Sequence, residues 1–131
     1  MKYKIELPFR LPSLNDYIRI CNRNRFEGNN FKKGVEKDII WAIKRAKTPA
    51  IEKPVRIKYT WIEKNRKRDT DNVSSAKKYI LDALQKAKIL KNDSPKYVVG
   101  HKDIFDYDKI NGDRVIIEIE EVEECLKSDK L

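Results

Sequence analysis

The sequence predicts an α+β fold: one small domain with two helices on a mixed β-sheet, in the order β-loop-α-β-α-β-β. Three observations carry this. Two short segments alternate apolar and polar residues at period two and two more read as strands, and two longer ones repeat apolar residues at spacings of three and four. The length of 131 residues suits a single core that buries roughly two-thirds of the unfolded surface.

Residues 2–7, KYKIEL, place Tyr3, Ile5 and Leu7 on one face of a short strand that stops at Pro8. Residues 8–30 hold Pro8, Pro12, Gly28 and many Asn and Arg without a period, and read as a long irregular segment, a length that usually serves function or moves. From Phe31 to Lys47, Val35, Ile39, Ile43 and Ala46 mark an amphipathic helix ending before Pro49. VRIKYTWIE, 55–63, alternates Val55, Ile57, Tyr59 and Trp61 with Arg56, Lys58 and Thr60, a half-buried strand with a basic outer face.

A second helix is expected over 71–88. Val73, Ala76, Ile80, Ala83, Leu84 and Ala87 fall on one arc, with Asp71, Ser75, Lys78 and Asp82 opposite. Residues 96–105 and 113–121 read as strands joined at Asn111-Gly112, the strongest short hairpin signal. The domain is taken as residues 1–122, with 123–131 a charged tail that frays.

Lys and Arg number 30 against 21 Asp and Glu, a formal net charge of +9. On so small a domain that favours a polyanionic partner, nucleic acid first. The start MKYKIELP lacks the apolar stretch of a signal peptide, and no run is long enough to span a bilayer, which points to a cytoplasmic protein without a membrane partner. Cys21 and Cys125 have no metal-ligand spacing and read as reduced thiols.

The segment KNRKRDTDNV, 64–73, sets Lys64, Arg66, Lys67 and Arg68 before Asp69 and Asp71. Aspartates there serve either as helix caps, each worth on the order of 1 kcal/mol, or as ligands for a cation. Two carboxylates about 4 Å apart repel by roughly 4 kcal/mol at an effective dielectric of 20, so convergence needs a proton, a basic side chain or a metal. Mg²⁺ suits a D-x-D with one further acid, because it takes a few carboxylate oxygens and keeps its waters. Asp93, past the second helix, is the economical third acid. Arg19, Arg23 and Arg25 in the irregular segment, Arg56 and Lys58 on the strand, and the run Lys64, Arg66, Lys67 and Arg68 are the candidate phosphate contacts; for the three loop arginines a solvated loop is an equal alternative.

Two features are set aside. DYDKING, 106–112, misplaces the glycine of a calcium loop and lacks its closing glutamate. His101, the sole histidine, reads as structural.

RKRDTDNV at 66–73, KYILDAL at 78–84, KAKIL at 86–90 and ND at 92–93, with LPFRLPSLN at 7–15, resemble the RusA family of Holliday junction resolvases, phage-type endodeoxyribonucleases. The resemblance implies a Mg²⁺-dependent endonuclease that resolves four-way DNA junctions in recombination and repair, by paired symmetric nicks leaving 5′-phosphate and 3′-hydroxyl ends. It implies a homodimer. It gives the metal to Asp69, Asp71 and Asp93, and a lysine essential for cleavage to Lys78, counted back from Asp82. Three more residues separate D-x-D-N from Leu-Asp-Ala-Leu than in the family pattern, nearly one helical turn, so the polar face turns by only about 60°. Lys77, nearer the core arc, is the competing choice. Two other readings stand beside the resolvase: a non-catalytic DNA- or RNA-binding module, and a nuclease for another branched DNA.

Overall fold

The computed structural model describes residues 1–123; the rest of the expected tail, including Cys125, lies outside the described residues. Eight elements follow in chain order: β1 (Lys2–Leu7), α1 (Leu14–Arg23), α2 (Arg25–Arg45), β2 (Val55–Glu63), α3 (Thr70–Ser74), α4 (Lys77–Lys86), β3 (Val98–Tyr107) and β4 (Arg114–Glu121). The architecture is α+β, with one mixed sheet in the order β1-β4-β2-β3.

Alternation decides which face of the sheet is covered. Ile5 and Leu7 of β1, Ile57, Tyr59 and Trp61 of β2, and Ile117 and Ile119 of β4 are buried against Ile39 and Ile43 of α2 and Ile80 and Leu84 of α4. The intervening residues, among them Lys2, Lys4, Arg56 and Lys58, are exposed on the other face.

The chain departs from the sequence reading in three places. Residues 8–30 are not irregular, because they contain α1 and the start of α2. Ser13 and Asp16 close a capping box: the Ser13 hydroxyl accepts from Asp16 N at 3.2 Å, and the Asp16 carboxylate accepts from Ser13 N at 3.0 Å. Asn24 then breaks the chain and caps α2, accepting from Phe26 N and Glu27 N. Leu14, Tyr17, Ile18 and Cys21 fall at i, i+3, i+4 and i+7, so an apolar stripe for α1 is present in the sequence although none of its residues is fully buried.

The helix expected over 71–88 is two helices. Ser75 breaks it: its hydroxyl donates to Asn72 O at 2.7 Å and accepts from Leu14 N at 3.0 Å. The ladder there tightens to three-residue bonds, Ala76 N to Val73 O and Tyr79 N to Ala76 O.

The Asn111-Gly112 turn is present, with Gly112 at φ +84, but it does not join a hairpin. β3 runs parallel to β2 on one side and β4 antiparallel to it on the other. The connection therefore crosses the end of β2: Asp108 N donates to Glu63 O at 2.9 Å, and Lys64 N donates to Asp113 at 2.7 Å. Asp108 organises the turn; the Asn111 backbone and side chain, then Arg114 and the Ile110 backbone, hold its carboxyl down to about 2.

The two N-terminal helices approach closely at Gly28. A Cβ there would lie 2.2 Å from Cys21 Sγ and 3.0 Å from Cys21 Cα. Gly28→Ala should lower stability by about 1–3 kcal/mol through overpacking, read as a drop in urea midpoint, and Cys21→Ala should recover part of the loss.

Candidate metal and nucleic-acid site

The parallel β2–β3 pairing requires a crossover, and α3 and α4 supply it. Its first step is held by Arg68. The guanidinium donates from Nε and Nη2 to the two carboxylate oxygens of Glu63 at 3.0 and 2.7 Å, and from Nη1 to Leu11 O at 3.3 Å. This two-pronged ion pair fixes the chain as it leaves β2. Arg68, expected among the phosphate contacts, is thus engaged within the fold.

Asp69 follows at the N-cap position of α3, and Asp71 lies in the first turn. The Asp69 side chain makes no capping bond; its backbone carbonyl accepts from Val73 N at 3.1 Å. Both side chains are exposed. Among the described residues neither carboxylate has a hydrogen-bonding or ion-pair partner.

The N-terminal segment is laced to this crossover. Besides the Leu14–Ser75 bond, Asn15 Nδ2 donates to Asn72 Oδ1 at 3.1 Å, and the buried Tyr79 hydroxyl donates to Ser13 O at 3.2 Å. Burial raises the Tyr79 pKa, so the hydroxyl stays a donor. LPSLN and RDTDNV, far apart in sequence, are therefore neighbours.

On α4 the two adjacent lysines diverge. Lys77 Nζ donates to Asp103 Oδ2 at 2.8 Å and lies 5.0 Å from the centre of the Tyr59 ring; Asp103 also accepts from Trp61 Nε1 at 2.8 Å. Lys78 is 52% exposed and stands 3.2 Å from Asp82 and 3.7 Å from Asp93. Lys77 ties α4 to the sheet, whereas Lys78 reaches the third expected acid. Lys32 meets Asp82 from α2 at 3.0 Å; burial lowers its pKa, but the Asp82 hydrogen bond and charge outweigh that and raise it.

Asp103 was not legible in the sequence as a site residue. β3 carries a register shift where Val55 pairs Val98 and Arg56 pairs Gly100, so Val99 bulges out and the period of two fails. Beyond the bulge His101 and Asp103 share the helix-covered side with Ile57 and Tyr59. His101 Nδ1 is 2.9 Å from the Tyr59 hydroxyl.

The expected phosphate contacts are spread over more than one surface. Arg23 and Arg25 are exposed on either side of Asn24, in helices and not in a loop, and Arg19 pairs with Asp16 at 2.5 Å. Lys64 and Lys67 are exposed, and Arg66 lies 4.6 Å from the Tyr107 ring centre. Arg56 and Lys58 point to the uncovered side of the sheet, away from α4. The basic strand face therefore does not run on into the aspartate segment, since alternation turns it away.

For Mg²⁺, Asp69 and Asp71 offer hard, unengaged oxygens suited to an ion that keeps most of its waters. Asp93 is engaged by Lys78, and among the described residues no three His, Cys, Asp or Glu side chains converge as a metal site. No family model matches the chain, and no curated protein matches it. No helix among the described residues is long and apolar enough to cross a membrane.

Two outcomes follow. Asp103→Ala leaves Lys77 and the Trp61 N–H without their acceptor and should cost about 1–3 kcal/mol in urea melts. Burial first, then the Lys77 charge, lowers the His101 pKa from 6.5, against the opposing charges of Asp103 and Asp93. The unfolded chain therefore takes up this proton first as pH falls. The neutral ring's contribution is complete above about pH 6.5 and is lost as pH descends through the folded value. Wild type should lose more stability than His101→Gln between about pH 7.5 and about pH 5.

Proposed function

We propose that this protein is a Mg²⁺-dependent endodeoxyribonuclease acting on branched DNA, with the four-way junction as its substrate. The observation that carries the reading is the meeting of LPSLN with RDTDNV through Asn15–Asn72 and Leu14–Ser75, alongside the reach of Lys78 to Asp93. Segments on which the resemblance rests are separated by more than fifty residues in the chain and adjacent in the fold.

Asp69 and Asp71 would hold a divalent ion, which when bound would supply water activation and charge neutralisation at a phosphate. Asp93 is the third donor implied by the resemblance, and in this conformation it holds Lys78. Lys78 is extended between Asp82 and Asp93 on the exposed side of α4, a position from which its ammonium stabilises charge developing on a bound phosphate. Lys64, Arg66, Lys67, Arg23 and Arg25 add phosphate affinity without reading sequence. Two symmetric nicks require two copies of the site, so the working form is a two-fold homodimer.

A non-catalytic nucleic-acid-binding module is the second reading, favoured by the ion pair that engages Asp93 with Lys78 and by exposed cations on more than one surface. Labelled four-way junction and matched linear duplex, each with Mg²⁺ or EDTA, separate the two. The wild type should cut the junction only with Mg²⁺, and Asp71→Asn should lose at least about 100-fold in rate while still binding, since even residues that merely support a metal ligand cost 10–100-fold. Binding without metal-dependent cutting would favour the module; equal cutting of linear duplex would remove the junction as substrate. Lys78→Ala should lose cleavage with an unchanged melting temperature, and Lys77→Ala should lower the melting temperature.

A further inference from the structure

We infer that the uncovered face of the β-sheet is a second surface for duplex DNA backbone, on the opposite side of the sheet from α3 and α4. The inference rests on the nucleic-acid reading above but not on cleavage. All four strands contribute. Lys2 and Lys4 of β1, Arg56 and Lys58 of β2, and Lys102 of β3 are exposed there, beside the half-buried Glu118 and the exposed Glu120 of β4. These residues line a shallow concavity of about 450 Å³, with five cations against two carboxylates.

The carboxylates do not cancel the cations. Lys58 pairs with Glu118 at 3.6 Å, but among the described residues Lys2, Lys4, Arg56 and Lys102 have no ion-pair partner. Arg56 sits opposite Glu120 in the register, yet its side chain leans the other way, over Gly100. A Cβ at Gly100 would be 3.7 Å from Arg56 Cγ and 3.9 Å from Nε. That lays the Arg56 side chain over the bare backbone of β3 at Gly100, and among the described residues no carboxylate pairs with it.

The arrangement also suits a repeating anion. Alternate strand residues recur about every 6.7 Å and neighbouring strands lie about 4.8 Å apart, so the cations form a two-dimensional array without a pocket for one small anion. Such an array neutralises phosphates along a backbone and is indifferent to base sequence. A second copy of this chain would bring like net charge against like.

The test is metal-free binding of a labelled linear DNA duplex in EDTA, followed by fluorescence anisotropy across a salt series. The Lys4→Glu, Arg56→Glu, Lys102→Glu triple variant should bind at least tenfold more weakly and show a log–log salt slope shallower by about 2–3, near 0.9 per lost phosphate contact. A control triple on exposed α2 positions, Lys33→Glu, Lys37→Glu and Lys44→Glu, changes net charge equally and should fall much less. Circular dichroism checks folding, with the corresponding glutamine triple replacing any variant that unfolds. Equal loss in both triples, unchanged binding in the sheet triple, or a change confined to sedimentation mass would overturn the inference. EDTA prevents cutting, so failure of the nuclease reading appears in the junction assay and failure of this surface in the duplex slopes.

Discussion

Most of the molecule follows from the central position of β2. It accepts β3 in parallel and β4 in antiparallel register, and a parallel neighbour demands a long crossover. That crossover is the segment carrying Asp69, Asp71, Lys77 and Lys78. Because Ile57, Tyr59 and Trp61 all turn to one face, the crossover packs on that face to cover them. The other face is left to Arg56 and Lys58. One strand thereby separates two charged surfaces and decides which residues belong to each.

Charge inside the fold is managed by pairing. Glu36 on α2 is almost fully buried, held by Lys86 and approached by Lys32 at 3.6 Å, while its Oε2 has no hydrogen-bond partner among the described residues. Asp103 is shared by Lys77 and the Trp61 indole, and Glu63 is clasped by Arg68. Removing one member of such a pair costs more than the pair contributes, because it leaves a poorly solvated charge behind. These pairs cross between elements, so they also set where α4 and the start of α3 sit against the sheet. Asp69 and Asp71 lack such partners among the described residues, so they do not tie elements together in this way.

Local chemistry made part of this legible. β1 and β2 are readable to the residue, since KYKIEL and VRIKYTWIE alternate cleanly and one face of each enters the core. Asn111-Gly112 announced a turn correctly, because glycine relieves the steric cost of positive φ. It did not reveal which strands the turn connects in space. α1 was missed although Ser13 and Asp16 carry a capping signature and Leu14, Tyr17, Ile18 and Cys21 an apolar stripe, because the prolines before it and the Asn- and Arg-rich stretch after it read as irregular chain. That Lys78 lies on the polar face and Lys77 nearer the core followed from helix geometry, and Lys77 does point to the sheet; the approach of Lys78 to Asp93 did not. The site was legible as segments and not as a constellation.

By itself, the sequence determined the α+β class, the two alternating strands, the core arc of α4 and the excess of positive charge, all of which depend on neighbours within a few residues. Only the tertiary structure decided that β2 lies between β3 and β4, that Ser75 divides the crossover in two, that Arg68 is a tether and that Arg56 and Lys58 face away from the aspartates. Those outcomes depend on partners tens of residues away, such as Leu11 for Arg68 and Leu14 for Ser75. A side chain's local pattern says which way it points on its own element. Which surface that direction becomes is set when the elements pack and their polar groups find distant partners.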